Sequence, residues 1–104
     1  QMINTKMKKV LEEAQRMKDQ FQRDLGEMRI SATAGGGAIT ATVNGQKDLL
    51  ELSIDPDAVD PSDIEMLQDL VVAAINEASR RVDEEIQQKL GGIMGGMGLP
   101  GMMG

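Results

Sequence analysis

Residues 28–54 read MRISATAGGGAITATVNGQKDLLELSI, a stretch in which apolar and polar positions alternate. Two turn signals, Gly35-Gly36-Gly37 and Asn44-Gly45, cut it into three short runs, which is the pattern of a half-buried antiparallel meander. Met28, Ile30, Ala32 and Ala34, then Ile39, Ala41 and Val43, then Leu50, Leu52 and Ile54 fall on one face. The opposite face takes Arg29, Ser31, Thr33, Thr40, Thr42, Glu51 and Ser53. Asn44-Gly45 has the residues of a two-residue type I′ hairpin, which needs two positive φ angles and would fix the register of the second and third strands. A sheet this small needs a cover on its apolar side. The flanking segments are expected to supply it.

From Asn4 to about Gly26, the residues Met7, Val10, Ala14, Met17 and Phe21 follow Ile3 at spacings of 4, 3, 4, 3 and 4. That is the seam of a helix that packs lengthwise on another helix. Asn4 or Thr5 can cap its start, and Gly26 suits the left-handed position after its end. A second helix is expected from Asp60 to about Leu90. Its cap is either Asp60 ahead of Pro61 or a Ser62/Glu65 capping box. Its inward residues are Ile64, Leu67, Val71, Ala74, Ile75, Ala78, Val82, Ile86 and Leu90. At about 1.5 Å per residue these helices extend roughly 34 and 45 Å. A seven-residue strand covers only about 23 Å. The apolar stripes therefore outrun the sheet, and a second copy of the chain is the simplest cover, which predicts a two-fold dimer. The alternative is a first helix lying only on the second helix of its own chain.

The chain has 104 residues, enough for one α+β domain over residues 1–90 followed by a Gly/Met-rich tail at 91–104. It contains no Cys and no His. That removes disulfides, the usual zinc sites, Ser-His and Cys-His nucleophile pairs and imidazole acid-base chemistry. With only carboxylates, Lys and hydroxyls left and no spaced constellation of them, an enzyme is not expected. The sequence carries no signal-peptide or membrane-spanning pattern, so a soluble cytoplasmic protein is the expectation. The net charge of −6 favours solubility and weighs against a general polyanion binder. Phe21 is the only aromatic residue, which argues against stacking on single-stranded bases.

The αβββα order combines a Lys- and Gln-rich first helix, the turns in AGGGAITATVNGQ, the helix DPSDIEMLQDLVVAAINEA and a Gly/Met tail near LPG. Together they resemble the YbaB/EbfC family of bacterial nucleoid-associated proteins. The most specific part of the resemblance is Asp60 to Arg81. It implies a tweezer-shaped homodimer, residence on the nucleoid, and binding to duplex DNA with little or no sequence preference.

Lys9, Arg16 and Arg23 recur every seven residues and form one stripe of about 21 Å. Lys6, Lys8 and Lys18 stand near it, and Arg80 and Arg81 come late in the second helix. Glu12, Glu13, Asp19 and Glu27 lie three or four residues from the stripe, so a merely solvated face is the competing reading. The resemblance assigns the DNA-contacting role to Lys8, Lys9, Arg16, Arg23, Arg80 and Arg81. No cofactor or small-molecule substrate is implied.

Three other features read as structural. Gly35-Gly36-Gly37 lacks the Lys and Ser/Thr of a phosphate loop and is taken as a turn. Asp55, Asp57, Asp60 and Asp63 lack the offsets of a calcium loop, and Asp60 serves better as a cap. Met94, Met97, Met102 and Met103 could hold a soft metal, but a mobile tail, or one packed in a groove between copies, is preferred. The rival functional reading is an adaptor or chaperone-like clamp for an amphipathic partner helix. Phosphate binding would weaken steeply with salt, whereas apolar clamping would not.

Overall fold

The computed structural model describes residues 2–96, with side chains over residues 4–92. Helix α1 (Met2–Glu27) leads into strands β1 (Ile30–Ala34), β2 (Ile39–Val43) and β3 (Leu49–Ile54). A 3-10 turn at Pro56–Ala58 precedes helix α2 (Ile64–Gly96). The strands form one antiparallel sheet in the order β1-β2-β3, the expected meander. Ala32 stands opposite Ala41 and Ile30 opposite Val43, while Ala41 also faces Leu52 and Ile39 faces Ile54. The alternation read from the sequence thus places the apolar residues of β1 and β2 on one face.

That face is covered by α2 alone. Ala32, Ile39, Ala41 and Val43 are buried against Ala74, Ala78 and Val82. Alanines on both surfaces let helix and sheet approach closely. Bulkier residues close the ends of the layer, Ile30 and Ile86 at one and Leu67, Leu70, Val71 and Ile75 at the other. Gly35 (φ 65°) turns the chain directly over Leu70, where an added Cβ would come within 2.9 Å of Cδ1. Gly36 and Gly37 also have positive φ, so the triple glycine is a turn.

The predicted two-residue turn at Asn44-Gly45 is not formed. Five residues separate β2 from β3. Asn44 closes the loop with its side chain, Oδ1 accepting the N–H groups of Gln46 at 2.9 Å and Asp48 at 3.0 Å. Lys47 takes the left-handed conformation (φ 66°). The pairing then slips, with Leu49 rather than Leu50 opposite Val43. Leu50 is the extra residue of a bulge next to the loop.

Gly45 has a different task. Its N–H donates to the Leu25 carbonyl at 2.7 Å, and a Cβ at this position would lie 2.7 Å from that oxygen and 2.8 Å from Leu25 Cα. The sheet therefore grips α1 at its last turn. Beyond that grip α1 makes no extensive packing contact with another element among the described residues, contrary to the expectation that both helices would cover the sheet. The molecule is 72 Å long, more than either helix alone, so α1 does not lie along α2. Gly26 is helical rather than a left-handed terminator, and α1 begins before Asn4 and Thr5, so neither is its cap.

Helix α2 starts later than either expected start. Pro61 sits in a turn closed by the Asp63 N–H on the Asp60 carbonyl at 2.9 Å. Asp60 Oδ1 accepts the Ser62 hydroxyl at 2.6 Å and the Ser62 N–H at 2.9 Å. These bonds, the side-chain one foremost, hold the Asp60 carboxyl below its usual range. The cap itself is Asp63, whose Oδ1 takes the Met66 N–H at 3.1 Å. Asp55 likewise caps the 3-10 turn through Asp57 N–H. An Asp63→Ala variant is expected to lose about 1 kcal/mol. In a calorimetric scan at fixed protein concentration this lowers Tm by roughly 4–8 °C.

Helix α2 continues to Gly96, through the first residues of the expected tail. Met94, Met97, Met102 and Met103 lie outside the described side chains, as does Ile3. Among the described residues no helix is long and apolar enough to cross a membrane.

Candidate nucleic-acid interface

The first ten described residues of α1 contain Lys6, Lys8 and Lys9 and no acid. Because α1 is gripped at Leu25, this cationic segment lies at the end of the helix away from the grip. Lys8, Lys9, Arg16 and Arg23 are all exposed. The acids along α1 pair with them less than the spacing suggested. Arg16 approaches Glu13 at 3.6 Å, the only ion pair of α1 among the described residues. Gln15 donates to Asp19 at 2.9 Å and Gln20 to Asp24 at 2.8 Å, so glutamines engage two of the carboxylates. Arg23 donates to Gln20 Oε1 at 3.0 Å. As a whole α1 carries six cations and five anions, whereas α2 carries three and six.

Beside this cationic arm runs an uncovered apolar seam. Val10 is 62% exposed, Leu11 61% and Met17 72%, with Met7 and Phe21 on the same face. A second uncovered apolar surface lies on β3, all of whose residues are exposed, including Leu49, Leu50, Leu52 and Ile54. Helix α2 sits over β1 and β2 and leaves the apolar residues of β3 37–45% exposed. Among the described residues both surfaces stay open to solvent within one chain.

Arg80 and Arg81 are differently placed. Arg80 Nε bonds both Glu77 carboxylate oxygens at 3.0 and 3.1 Å, its Nη2 reaches the same group, and its Nη1 lies 3.0 Å from Glu84. The Arg80 hydrogen bond is the main reason the Glu77 carboxyl lies below its usual range, and the same bond raises the Arg80 guanidinium. Arg81 Nη1 donates to the Ser31 carbonyl at 2.9 Å and its Nε is 3.8 Å from Glu77. It fastens α2 to β1. Lys47 makes a second tie, 2.8 Å from Asp83. The six cations assigned from the sequence thus divide into four on the free arm and two engaged on α2. Arg29 was not among them. It lines a polar recess with Ser31, Arg81, Glu84, Glu85 and Gln88, and its only sequence signal was a cation just ahead of β1 with no helical neighbour.

Residues 2–97 match the sequence profile of the YbaB/EbfC DNA-binding family. A nucleoid-associated protein of Koribacter versatilis (strain Ellin345) is 57% identical over 83 residues, spanning 80% of this chain and 82% of that one. A nucleoid-associated protein of Clostridium novyi (strain NT) is 45% identical over 96 residues, spanning 89% and 84%. The crystal structure of an uncharacterized protein from Helicobacter pylori shares the fold, with a TM-score of 0.70 at 20% identity over 85% of this chain and 92% of that one.

Proposed function

The chain belongs to the YbaB/EbfC DNA-binding family, and from that premise we propose that it is a nucleoid-associated protein that binds duplex DNA as a homodimer with little or no sequence preference. The observation that carries this reading is the arm: a helix gripped at one end, cationic at the other, with an apolar seam that its own chain leaves bare. Seam and β3 are two apolar surfaces that stay open to solvent in one chain. Two copies can cover both by exchange about a two-fold axis. Lys8, Lys9, Arg16 and Arg23 are then available to phosphates, and phosphate contacts fix position without reading sequence. Arg80 and Arg81 contribute only where DNA displaces Glu77 and Glu84 from the first and the Ser31 carbonyl from the second, so their substitution is expected to change affinity less.

Fluorescence anisotropy with unrelated duplexes across 50–200 mM salt tests this. Affinity is expected to fall steeply with salt, from a non-specific range of about 10⁻⁴ to 10⁻⁶ M. The triple variant Lys9→Ala, Arg16→Ala, Arg23→Ala should weaken all duplexes alike. The salt slope should shrink by about 1 for each phosphate contact removed. Unchanged affinity would place the DNA contacts elsewhere. Salt-insensitive capture of an amphipathic helix would favour the clamp reading, which the bare seam also suits.

A further inference from the structure

The chain contains no Cys, His, Trp or Tyr, so its thioethers are the side chains most open to two-electron oxidation. Met7 and Met17 are 57% and 72% exposed, and both stand in the α1 seam on either side of Val10. Met28 is half-buried, and Met66 is exposed at the start of α2, away from the seam. We propose that Met7 and Met17 are oxidation sites through which a peroxide controls assembly, their sulfoxides dissolving the dimer and with it DNA binding. This rests on the reading of the seam as the contact between copies.

The step balances. The sulfide sulfur attacks one peroxide oxygen, the O–O bond breaks, an S–O bond forms and sulfur gives up two electrons; the proton on the transferred oxygen passes to the departing hydroxide, which leaves as water. The product exchanges an adaptable apolar side chain for a polar one. Covering the seam then strips water from an S–O group without replacing its hydrogen bonds, which weakens assembly by roughly tenfold for each sulfoxide buried. A separated chain exposes both sulfurs and an assembled pair covers them. Oxidation therefore proceeds through the separated chain and holds it there. Sulfoxide reduction reverses the change.

The test treats the full chain with hydrogen peroxide and follows oxidation at each methionine by peptide mass mapping, mass by light scattering and duplex binding by anisotropy at one salt concentration. Dimer fraction and affinity are expected to fall together, affinity by about tenfold or more, as Met7 and Met17 gain oxygen. Methionine sulfoxide reductase should restore both. A Met7→Leu, Met17→Leu variant, each treated sample compared with its own untreated one, should show no such loss although its other methionines still oxidise. Full oxidation of Met7 and Met17 with dimer and affinity unchanged overturns the proposal. So does an equal loss in the double-Leu variant. Untreated protein that is already monomeric overturns the assembly reading itself, and this is seen before any oxidant is added.

Discussion

If two copies pair through the α1 seam as proposed, a protein carrying Val10→Asp and Met17→Asp is expected to run as a monomer at concentrations where the parent chain pairs. Both positions are largely exposed within the chain, so the sheet and its α2 cover lose nothing by the exchange, and surface changes of this kind shift stability by only about 0.5 kcal/mol. In the assembled pair the same carboxylates would be buried without partners, which costs about 3–5 kcal/mol for each charge so stranded. The dimer constant should therefore rise by well over a thousandfold. Duplex affinity should drop with it, because one arm alone loses the gain of two linked contacts. Light scattering and anisotropy on the same sample check both halves. A persisting dimer would move the contact away from the seam. Circular dichroism adds a further readout, since a 26-residue helix with almost no tertiary support is only marginally stable, and part of its helicity should go with the partner.

Gly45→Ala is expected to be the most damaging added methyl among the described glycines. The added carbon would meet backbone atoms of Leu25 at 2.7 and 2.8 Å, and backbone cannot swing aside as a side chain can. Overpacking of this kind costs about 2–3 kcal/mol, which lowers Tm by roughly 10–20 °C. Gly36→Ala is the control. Gly36 has positive φ but open space around it, so that variant pays only the conformational penalty of about 1 kcal/mol. Gly45 itself has no positive φ, so without the contact at Leu25 its alanine variant would melt at or above the parent rather than below the Gly36→Ala control.

Ile39, Ala41 and Val43 alternate strictly and are buried as that alternation demands. Ala74, Ala78 and Val82 likewise keep the helical period of α2. Periodicity reports on a face because burial acts on every residue of that face. Choices settled by a single contact are not visible in it. Asn44-Gly45 carries the dipeptide of a tight hairpin, yet here Asn44 binds the loop through its side chain and Gly45 makes room for another helix. Asp60, Ser62 and Asp63 are all competent caps, and only the turn at Pro61 selects Asp63. The basic stripe was legible as spacing. Which cations stay unpaired was not, because it depends on rotamers that set Gln15 and Gln20 on the acids of α1 but Glu77 on Arg80. The largest difference concerns α1. Its amphipathic pattern shows an apolar face that needs a cover, and the overhang pointed to a second copy, but the pattern could not show that the sheet meets this helix only at its last turn.

The single point of attachment at Leu25 makes α1 a lever. A rotation of about 10° there carries the far end of the helix, about 35 Å away, through roughly 6 Å. That is about half the width of the major groove, about 12 Å. In the dimer proposed above, small adjustments at that peptide would set the calibre of the opening between two such rods, and a duplex whose local width varies from one sequence to the next could then be followed.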